Sequence, residues 1–555
     1  MSLVNPPVLP EIRVWQRIRR YAVPAAMIAA CTAAREAGDW RAACAAARID
    51  VAFDLVQVGR EHGRAQAERI EADLVVLAPD LLRWHLPRVL GGRTSLATNL
   101  QFLLSTSEGR FGEDDVALVL YMPKTVDGSQ RLRLTIRPVF GEPERYDLPP
   151  VFWSAAHVGG LAAAYGGSPA RLPGLEPDGT VRQFEAYATT VDPADPASRV
   201  EVFDRLMAAG DLVAAWTAAG IDLDPTRPHD SWYYDSDLGP AAAAVLLPIQ
   251  FDAELTRLQN RYGSSRTVIF HDWRACIGLW RRDDGNVAAS LIEFHKIKDD
   301  ELRPIAPVVH DRPADLELVR HGLLAPADLH PLVRRALFPA ASAAPTTVDR
   351  PELRVSVPVR CRGEWHRVVH GDGRLELASH TPDEVTREEL LRTLGGQVAG
   401  CFAVAQAWRG SGDRLPRRLR ELRREVLLRI QHSGSAALTS LLDSGLDPWM
   451  GDGRGGTLLH HLRAVGDVTL VRRLTDAGVP VNATNRHGRT ALHVAVGDGG
   501  SPEMVRALLE AGADPQARDA YDQTVVEVAD DKAEMYDDED STASQSVSTT
   551  SSTTG

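Results

Sequence analysis

The sequence has little cysteine and no long apolar run, and each shortage excludes a class of protein. Only five of the 555 residues are cysteines, and no two of them form a Cys-x-x-Cys pair. An odd number of widely spaced cysteines argues against a disulfide framework and fits a reducing compartment. The longest apolar runs, 25–34 and 240–248, are too short to span a bilayer. The N-terminus lacks the pattern of a secretory signal, so we expect a cytoplasmic protein with no membrane contact.

Acidic residues outnumber basic ones, 75 to 62. The net charge is −13 at pH 7, which argues against a dedicated nucleic-acid binder. Apolar residues make up 44% of the chain and charged residues 25%, as in ordinary globular proteins. At about 150 residues per domain, this length predicts three or four domains. Residues 530–540 include seven acidic side chains, and eleven of the fifteen residues 541–555 are Ser or Thr, so we predict a disordered tail over 533–555.

A repeat is visible near the C-terminus. The tetrapeptide Thr-Leu-Leu-His at 457–460 recurs 33 residues later as Thr-Ala-Leu-His at 490–493. A third copy, Thr-Val-Val-Glu, follows at 524–527. Glycines recur at nearly the same interval, each after a leucine-rich stretch that has helical spacing. This pattern predicts pairs of short helices separated by polar turns, with one pair in each repeat.

These residues resemble the ankyrin repeat. The full repeats are 452–484 and 485–518, flanked by degenerate or truncated copies within 417–532. The sequence departs from the family at Leu458 and Ala491, which replace a proline, and at Glu527, which replaces the histidine. The resemblance implies an α-solenoid in which His460 and His493 are structural. Because two full repeats bury too little apolar surface alone, we expect the array to pack against residues 381–431.

The resemblance also implies which residues bind. Ankyrin repeats bind other proteins through the turn tips and the exposed face of the first helix, and nothing in the sequence identifies the partner or the oligomeric state. In this chain the corresponding residues are Arg454, His461, Arg463, Arg486, His487, Arg489 and Tyr521.

Upstream of the repeats, strand-like runs alternate with helical segments and predict an α+β core over residues 1–410. We divide it into halves at 1–200 and 201–410, because the segment at 37–51 matches the segment at 209–223 at nine of fifteen positions. A weaker similarity relates 77–88 to 324–335. The halves therefore suggest an internal duplication; a shared alanine-rich composition is the alternative.

One cluster in this core suggests catalysis. Residues 283–286, Asp-Asp-Gly-Asn, predict a hairpin that brings His271 close to Glu293 and His295. An acid, a base and an orienting group would then meet, as in an enzyme or a toxin-like effector that the repeats target. Histidines at the ends of adjacent strands more commonly form a polar sheet edge, so we favour a protein without catalytic activity.

Cys361, His366 and His370 form a Cys-x4-His-x3-His pattern, which suggests a zinc site. Residues 365–370 read as a strand, in which side chains four residues apart lie about 13 Å from each other. His366 and His370 therefore cannot share one ion, and the sequence predicts no metal. Because the phosphate-binding and dinucleotide-binding glycine motifs are also missing, it predicts no cofactor.

The segment 409–429 contains eight arginines. Leu419, Leu422, Val426 and Ile430 form an apolar stripe on one face of the predicted helix, leaving arginines on the other. We interpret it as a solvated cap of the repeats; nucleic-acid contact is less favoured because no aromatic side chains are interleaved to stack on bases. The sequence thus predicts a bacterial scaffold protein that binds another protein through ankyrin repeats, similar to ankyrin-bearing proteins of high-GC actinobacteria.

Overall fold

The structure is a computed structural model. It describes residues 11–141, 145–226, 246–270, 275–293, 302–341, 353–371, 374–395, 398–410 and 415–535. The chain divides into two compact units: unit 1 comprises Met1–Pro123 and Arg131–Thr346, and unit 2 comprises Lys124–Gln130 and Thr347–Gly555. No described helix combines the length and apolar character that a bilayer crossing requires.

The first half of unit 1 contains eight helices and a five-stranded mixed sheet among the described residues. Short 3-10 turns occur at Pro150–Phe152, Val158–Gly160 and Phe184–Ala186. The helices and strands are α1 (Ile12–Tyr21), α2 (Ala25–Glu36), α3 (Trp40–Ala46), β1 (Ile49–Val51), α4 (Leu55–Glu61), α5 (Arg64–Val76), α6 (Pro79–His85), β2 (Gln101–Leu104), β3 (Val116–Tyr121), β4 (Leu132–Pro138), β5 (Tyr146–Asp147), α7 (Leu161–Ala164) and α8 (Ala197–Ala208).

The second half of unit 1 adds another five-stranded mixed sheet. Further 3-10 turns occur at Pro248–Gln250 and Pro326–Asp328. The helices and strands are α9 (Leu212–Ala218), β6 (Ile221–Asp224), α10 (Phe251–Tyr262), β7 (Arg266–Phe270), β8 (Ala275–Arg281), β9 (Val287–Glu293), β10 (Leu302–Pro304), α11 (Pro307–His310), α12 (Ala314–Arg320) and α13 (Pro331–Leu337).

The two sheets have the same topology. In the first, β2, β3 and β4 form an antiparallel meander, with β1 parallel to β4 and β5 parallel to β2. In the second, β7, β8 and β9 form the meander, with β6 parallel to β9 and β10 parallel to β7. Asp39 and Asp211 cap α3 and α9, the helices that lead into β1 and β6. This correspondence supports the duplication suggested by the sequence.

The weaker sequence similarity does not map onto equivalent elements. Helix α6 precedes the first meander, whereas the turn at Pro326–Asp328 and helix α13 follow the last strand of the second sheet. The segments 77–88 and 324–335, which share Leu-Ala-Pro, therefore do not occupy equivalent positions in the two halves. The similarity at 37–51 and 209–223 is the one that the fold reproduces.

The two halves of unit 1 share one apolar core. Asp315 of the second half is fully buried and accepts hydrogen bonds from three side chains of the first half. These are Arg19 Nε at 2.5 Å, Trp84 Nε1 at 3.0 Å and Tyr165 Oη at 3.2 Å. The structural boundary accordingly falls after Thr346, and residues 347–410, which the sequence placed in the second half, belong with the repeats.

Unit 2 begins with a three-stranded antiparallel sheet and continues as helices. Leu462–Ala464 forms a 3-10 turn. The elements are β11 (Val355–Cys361), β12 (Glu364–Gly371), β13 (Arg374–Glu376), α14 (Pro382–Thr393), α15 (Gly400–Arg409), α16 (Arg417–Ser433), α17 (Ser435–Asp443), α18 (Leu458–His461), α19 (Thr469–Asp476), α20 (Ala491–Gly497), α21 (Pro502–Glu510) and α22 (Val525–Met535).

One core runs through unit 2 from the small sheet to the last helix. The apolar stripe of α16 is buried as predicted. Helix α15 joins the sheet to the repeats: Trp408 Nε1 donates to Asp447 Oδ2 at 3.1 Å, and the carbonyl of Trp408 accepts from Gly451 N at 2.8 Å. The repeats therefore pack on upstream residues, and the supporting segment extends beyond 381–431 to the strands that begin at Val355.

Candidate protein-binding surface

Each repeat begins with a tight turn built around one short polar side chain. Asn485 Oδ1 accepts hydrogen bonds from the backbone of His487 at 2.9 Å and of Arg489 at 3.2 Å. Asp452 and Asp519, which occupy the same position in the neighbouring repeats, accept from the residues two and four positions later in the same way. Asx side chains stabilise such turns locally, so the conformation of each turn does not depend on the exposed side chains at its tip.

The tips are linked by backbone hydrogen bonds. Arg486 N donates to the carbonyl of Arg454 at 2.8 Å, and Ala520 N donates to the carbonyl of His487 at 2.8 Å. Because the main chain makes these bonds, the side chains of Arg454, Arg486 and His487 remain exposed. Tyr521 is 68% exposed. We call these four residues the tip surface.

The first helix of each repeat is capped by the tetrapeptide found in the sequence. Thr490 Oγ1 accepts from His493 N at 3.3 Å, and the His493 ring nitrogen Nδ1 accepts from Thr490 N at 3.3 Å. Thr457 and His460 form the equivalent capping box. In the third copy Glu527 replaces the histidine, and its Oε2 accepts from Thr524 N at 2.6 Å.

The same histidines connect consecutive repeats. With Nδ1 accepting, Nε2 carries the proton, and in His460 it lies 3.1 Å from the carbonyl oxygen of Arg489. In His493 it lies 3.3 Å from the carbonyl oxygen of Gln523. Burial lowers the pKa of His460 to about 4 and also lowers the pKa of His493. The predicted structural role of both histidines is confirmed.

Three residues assigned to binding from the sequence are part of the framework or close to it. Arg489 Nε lies 2.9 Å from Oδ2 of Asp519, whose side chain is fully buried. Arg463 donates to the carbonyl of His460, lies 3.3 Å from Asp498 and is only 13% exposed. His461 is 26% exposed, with Nε2 3.5 Å from Asp452 Oδ2. The fold therefore does use the positive charge of Arg489, which the sequence analysis assigned to the binding surface.

An apolar groove lies beside the tip surface within unit 2. It has a volume of about 440 Å³ and is lined by residues of α14 and α15 on one side and of the repeats on the other. Phe402, Trp449 and Pro480 provide apolar surface, and Gly455 adjoins Arg454 of the tip surface. The Arg409 guanidinium lies over the Trp449 ring at 5.5 Å, placing a cation at the edge of the groove.

The catalytic candidates are placed only in part. The hairpin at 283–286 forms as predicted, since Arg281 pairs with Val287 and Ala275 pairs with Glu293. His271 and His295 lie outside the described residues, as does the side chain of Glu293. The catalytic hypothesis at this hairpin therefore stays a prediction.

Sequence reasoning missed a group of cysteine and histidine side chains in unit 2. Cys361 Sγ, His366, His380 and Cys401 Sγ each offer one ligand atom, and these atoms lie within 4.8 Å of one another. His370, which the sequence considered with Cys361 and His366, instead places Nδ1 2.5 Å from the carbonyl oxygen of Leu353. Burial and the neighbouring Cys361 raise the pKa of the Cys401 thiol to about 12. The sequence signal was the presence of five cysteine and histidine residues within 361–401.

Comparison with known proteins agrees with the geometry of the repeats. Residues 428–519 match the family model of ankyrin repeats, with three copies. The match begins at residue 428, upstream of the two full repeats, where the sequence indicated a degenerate repeat. A segment of 106 residues, 19% of this chain, is 35% identical to the E3 ubiquitin-protein ligase KEG of Arabidopsis thaliana. The similarity covers 6% of that ligase.

Proposed function

We propose that this chain is a scaffold that binds another protein through the tip surface, because its C-terminal region contains ankyrin repeats. Ankyrin repeats are generally protein-interaction modules, and the match at 428–519 supports that role here. The observation that carries the proposal is the exposure of Arg454, Arg486, His487 and Tyr521 on turns that the backbone and the Asx side chains already stabilise. Exposed polar and aromatic residues that the fold does not require are typical of a binding surface.

The tip surface favours an acidic partner segment. Arg454 and Arg486 are exposed on adjacent turns, and Arg486 Nε lies 3.0 Å from His487 Nε2. This local positive charge contrasts with the net charge of −13 on the whole chain. Complementary charge steers association and sets specificity more than it adds affinity. Arginine also pairs with carboxylates in bidentate geometry, which lysine cannot do.

The groove beside the tip surface supplies the apolar part of the proposed binding site. Phe402 and Trp449 provide aromatic surface in the groove, and Gly455 connects the groove to the tip surface along the chain. Apolar anchors seated in a pocket contribute most of the binding energy at many interfaces. We therefore propose that a partner segment places carboxylates on the arginines and an apolar side chain in the groove.

Selection from a random peptide library on the immobilised full-length chain tests this function. We expect enrichment of peptides that combine acidic residues with an apolar one. A matched selection on Arg454→Glu/Arg486→Glu should lose the acidic preference, whereas Arg472→Glu/Arg506→Glu, on exposed arginines of α19 and α21, should keep it. Peptides without acidic enrichment, or the same peptides on all three proteins, would count against the tip surface.

We also propose a cytoplasmic location. All five cysteines are buried free thiols. Reduced thiols are typical of cytoplasmic proteins. Fractionation of cells with an antibody against the chain tests this proposal, and recovery outside the cytoplasm would contradict it.

A further inference from the structure

We propose that Cys361, His366, His380 and Cys401 bind one zinc ion, which stabilises unit 2. This site is separate from the tip surface, and it does not depend on the binding function proposed above. It joins side chains from the small sheet, from the segment after it and from helix α15.

The hairpin between β11 and β12 brings the first two ligands together. Arg362 and Gly363 form its two-residue turn, and both have positive φ. Cys361 pairs with Glu364, and Val359 pairs with His366. Residues paired across antiparallel strands point to the same face, so Cys361 and His366 are diagonal neighbours on one face. The distance along one strand that separates His366 from His370 does not separate His366 from Cys361, because these two residues lie on adjacent strands.

The other two ligands come from the ends of loops. His380 precedes α14, and its backbone N donates to the carbonyl of Leu377 at 2.8 Å. Cys401 is the second residue of α15, directly after Gly400. Gly400 has φ +60°, and a Cβ there would lie 2.5 Å from Cys361 Sγ. A glycine at this position is what allows the start of α15 to approach Cys361.

The ligand atoms converge on one point. His366 Nδ1 lies 2.9 Å from His380 Nε2, and all four atoms lie within 4.8 Å of one another. Four ligands placed at about 2.0–2.3 Å from a tetrahedral centre lie about 3.3–3.8 Å apart. The cluster therefore needs only small side-chain movements to surround an ion.

The donor set indicates which metal binds. Two thiolates and two imidazoles are the ligands of structural zinc sites, whereas calcium and magnesium take oxygen ligands. With four protein ligands, no position remains for a substrate, so the ion would be structural. The Cys361 and Cys401 side chains are buried, and the His380 side chain is 2% exposed, which protects the site from solvent.

A carboxylate orients one of the histidines. His380 turns Nε2 toward the cluster, while its Nδ1 lies 3.6 Å from Glu384 Oε2. Metal-binding histidines usually present their second nitrogen to such a group, which sets the tautomer. Glu384 is itself held by Thr381 N, which donates to Oε2 at 3.0 Å. We assign Glu384 as a positioning residue.

Zinc would connect the small sheet to the repeats. It binds the first turn of α15, and the last turn of the same helix is bonded to Asp447 and Gly451. Removing the ion should therefore loosen the support on which the repeats pack. Since metal binding free energy is also folding free energy, the loss should appear as reduced thermal stability.

The test is the metal content and cobalt spectrum of the full-length chain. We expect about one zinc ion per chain by inductively coupled plasma mass spectrometry. After zinc is replaced by cobalt, the absorption spectrum should show the bands of tetrahedral cobalt and a thiolate-to-cobalt charge-transfer band. Cys361→Ser and His380→Asn should lower zinc to background, while the matched controls Cys44→Ser, a buried cysteine in unit 1, and His62→Asn, an exposed histidine in unit 1, should keep it. Glu384→Gln should weaken zinc affinity roughly 10–100-fold.

Several outcomes would overturn the proposal. One is wild-type protein that stays free of zinc after incubation with the ion under reducing conditions. A second is a disulfide between Cys361 and Cys401 in freshly isolated protein, detected by peptide mass spectrometry. A third is a cobalt spectrum without thiolate charge transfer. Because the wild-type measurements decide the matter, misfolding of a ligand variant does not make the test inconclusive.

Discussion

Arg489 and Asp519 form an ion pair between consecutive repeats, with Arg489 Nε 2.9 Å from the buried Oδ2 of Asp519. The carbonyl of Arg489 also accepts from His460 Nε2 at 3.1 Å, so this one residue contacts the repeats on both sides. Arg486, three positions earlier, contacts the preceding tip only through its backbone N, which donates to the carbonyl of Arg454. The two arginines are close in sequence, yet one belongs to the framework and the other to the surface.

This difference predicts unequal stability effects. Arg489→Ala leaves the Asp519 carboxylate without its cation and should lower the free energy of unfolding by about 1–3 kcal/mol. Arg486→Ala changes an exposed side chain and should stay within about 0.5 kcal/mol. Urea unfolding of the full-length proteins measures both, and equal losses would show that the ion pair does not stabilise the repeats.

The capping histidines give a second comparison. His493→Ala removes the bonds to Thr490 and Gln523 and should cost about 1–3 kcal/mol. His493→Gln keeps a side chain able to complete a capping box and should cost less. Thermal melting of the two variants beside wild type decides this, and an alanine variant as stable as wild type would refute the structural role.

The neutral state of His460 predicts an acid-sensitive fold. Its pKa is about 4 in the folded protein, against 6.5 as the ordinary value. Below pH 6.5 the unfolded chain binds a proton that the folded chain does not, so stability is complete above that pH and falls as pH drops toward 4. The slope from this one group is about 1.4 kcal/mol per pH unit.

A pH series of urea unfolding from pH 7 to about 4 should show this fall. His460→Gln has no titrating group at the position, so its curve should be flatter than that of wild type. Parallel curves would show that His460 does not account for the acid sensitivity.

The approach of α15 to Cys361 predicts a specific effect of Gly400. Gly400→Ala combines a left-handed φ with a clash against Cys361, whereas Gly466→Ala has a φ of +78° and nothing within 4 Å of its Cβ. The control should show only the backbone strain of about 1 kcal/mol, and Gly400→Ala should lose more. Melting temperatures compare them; equal losses would mean that the contact with Cys361 is not tight.

The continuous core of unit 2 predicts which fragment folds. Residues 347–535 contain the sheet, α14, α15 and the repeats, and should melt cooperatively by circular dichroism. Residues 450–529 lack most of that core and should remain largely unfolded, since few repeats cannot bury enough apolar surface. A cooperative melt of the short fragment would show that the upstream support is not needed.

The local features of this fold were readable from the sequence. The repeat period, the hairpin at 283–286 and the strand containing His366 all follow from turn residues and periodicity within short windows. The two Ala-Gly-Asp segments also predicted equivalent positions, because Asp39 and Asp211 each cap the following helix. These are properties that neighbouring residues determine.

The nonlocal contacts were not readable. The ion pair of Arg489 was not predicted because its partner Asp519 lies 30 residues away, and no local pattern marks a buried carboxylate. His380 and Cys401 join Cys361 only through the placement of α14 and α15 around the small sheet. The recurrence of Asp452, Asn485 and Asp519 at the repeat interval was a signal that could have identified the turns. Contacts set by packing of separate elements require the structure.

Binding of a selected acidic peptide to the tip surface tests the central claim most directly. Isothermal titration calorimetry would measure the dissociation constant of the peptide for wild type, Arg454→Glu/Arg486→Glu and the charge-matched Arg472→Glu/Arg506→Glu. Both variants should first be shown to have the melting temperature of wild type. We expect the tip variant to bind at least about tenfold more weakly, a loss of about 1.4 kcal/mol, and the control to bind like wild type. Equal affinity for all three proteins, or equal weakening of both variants, would contradict binding at the tips.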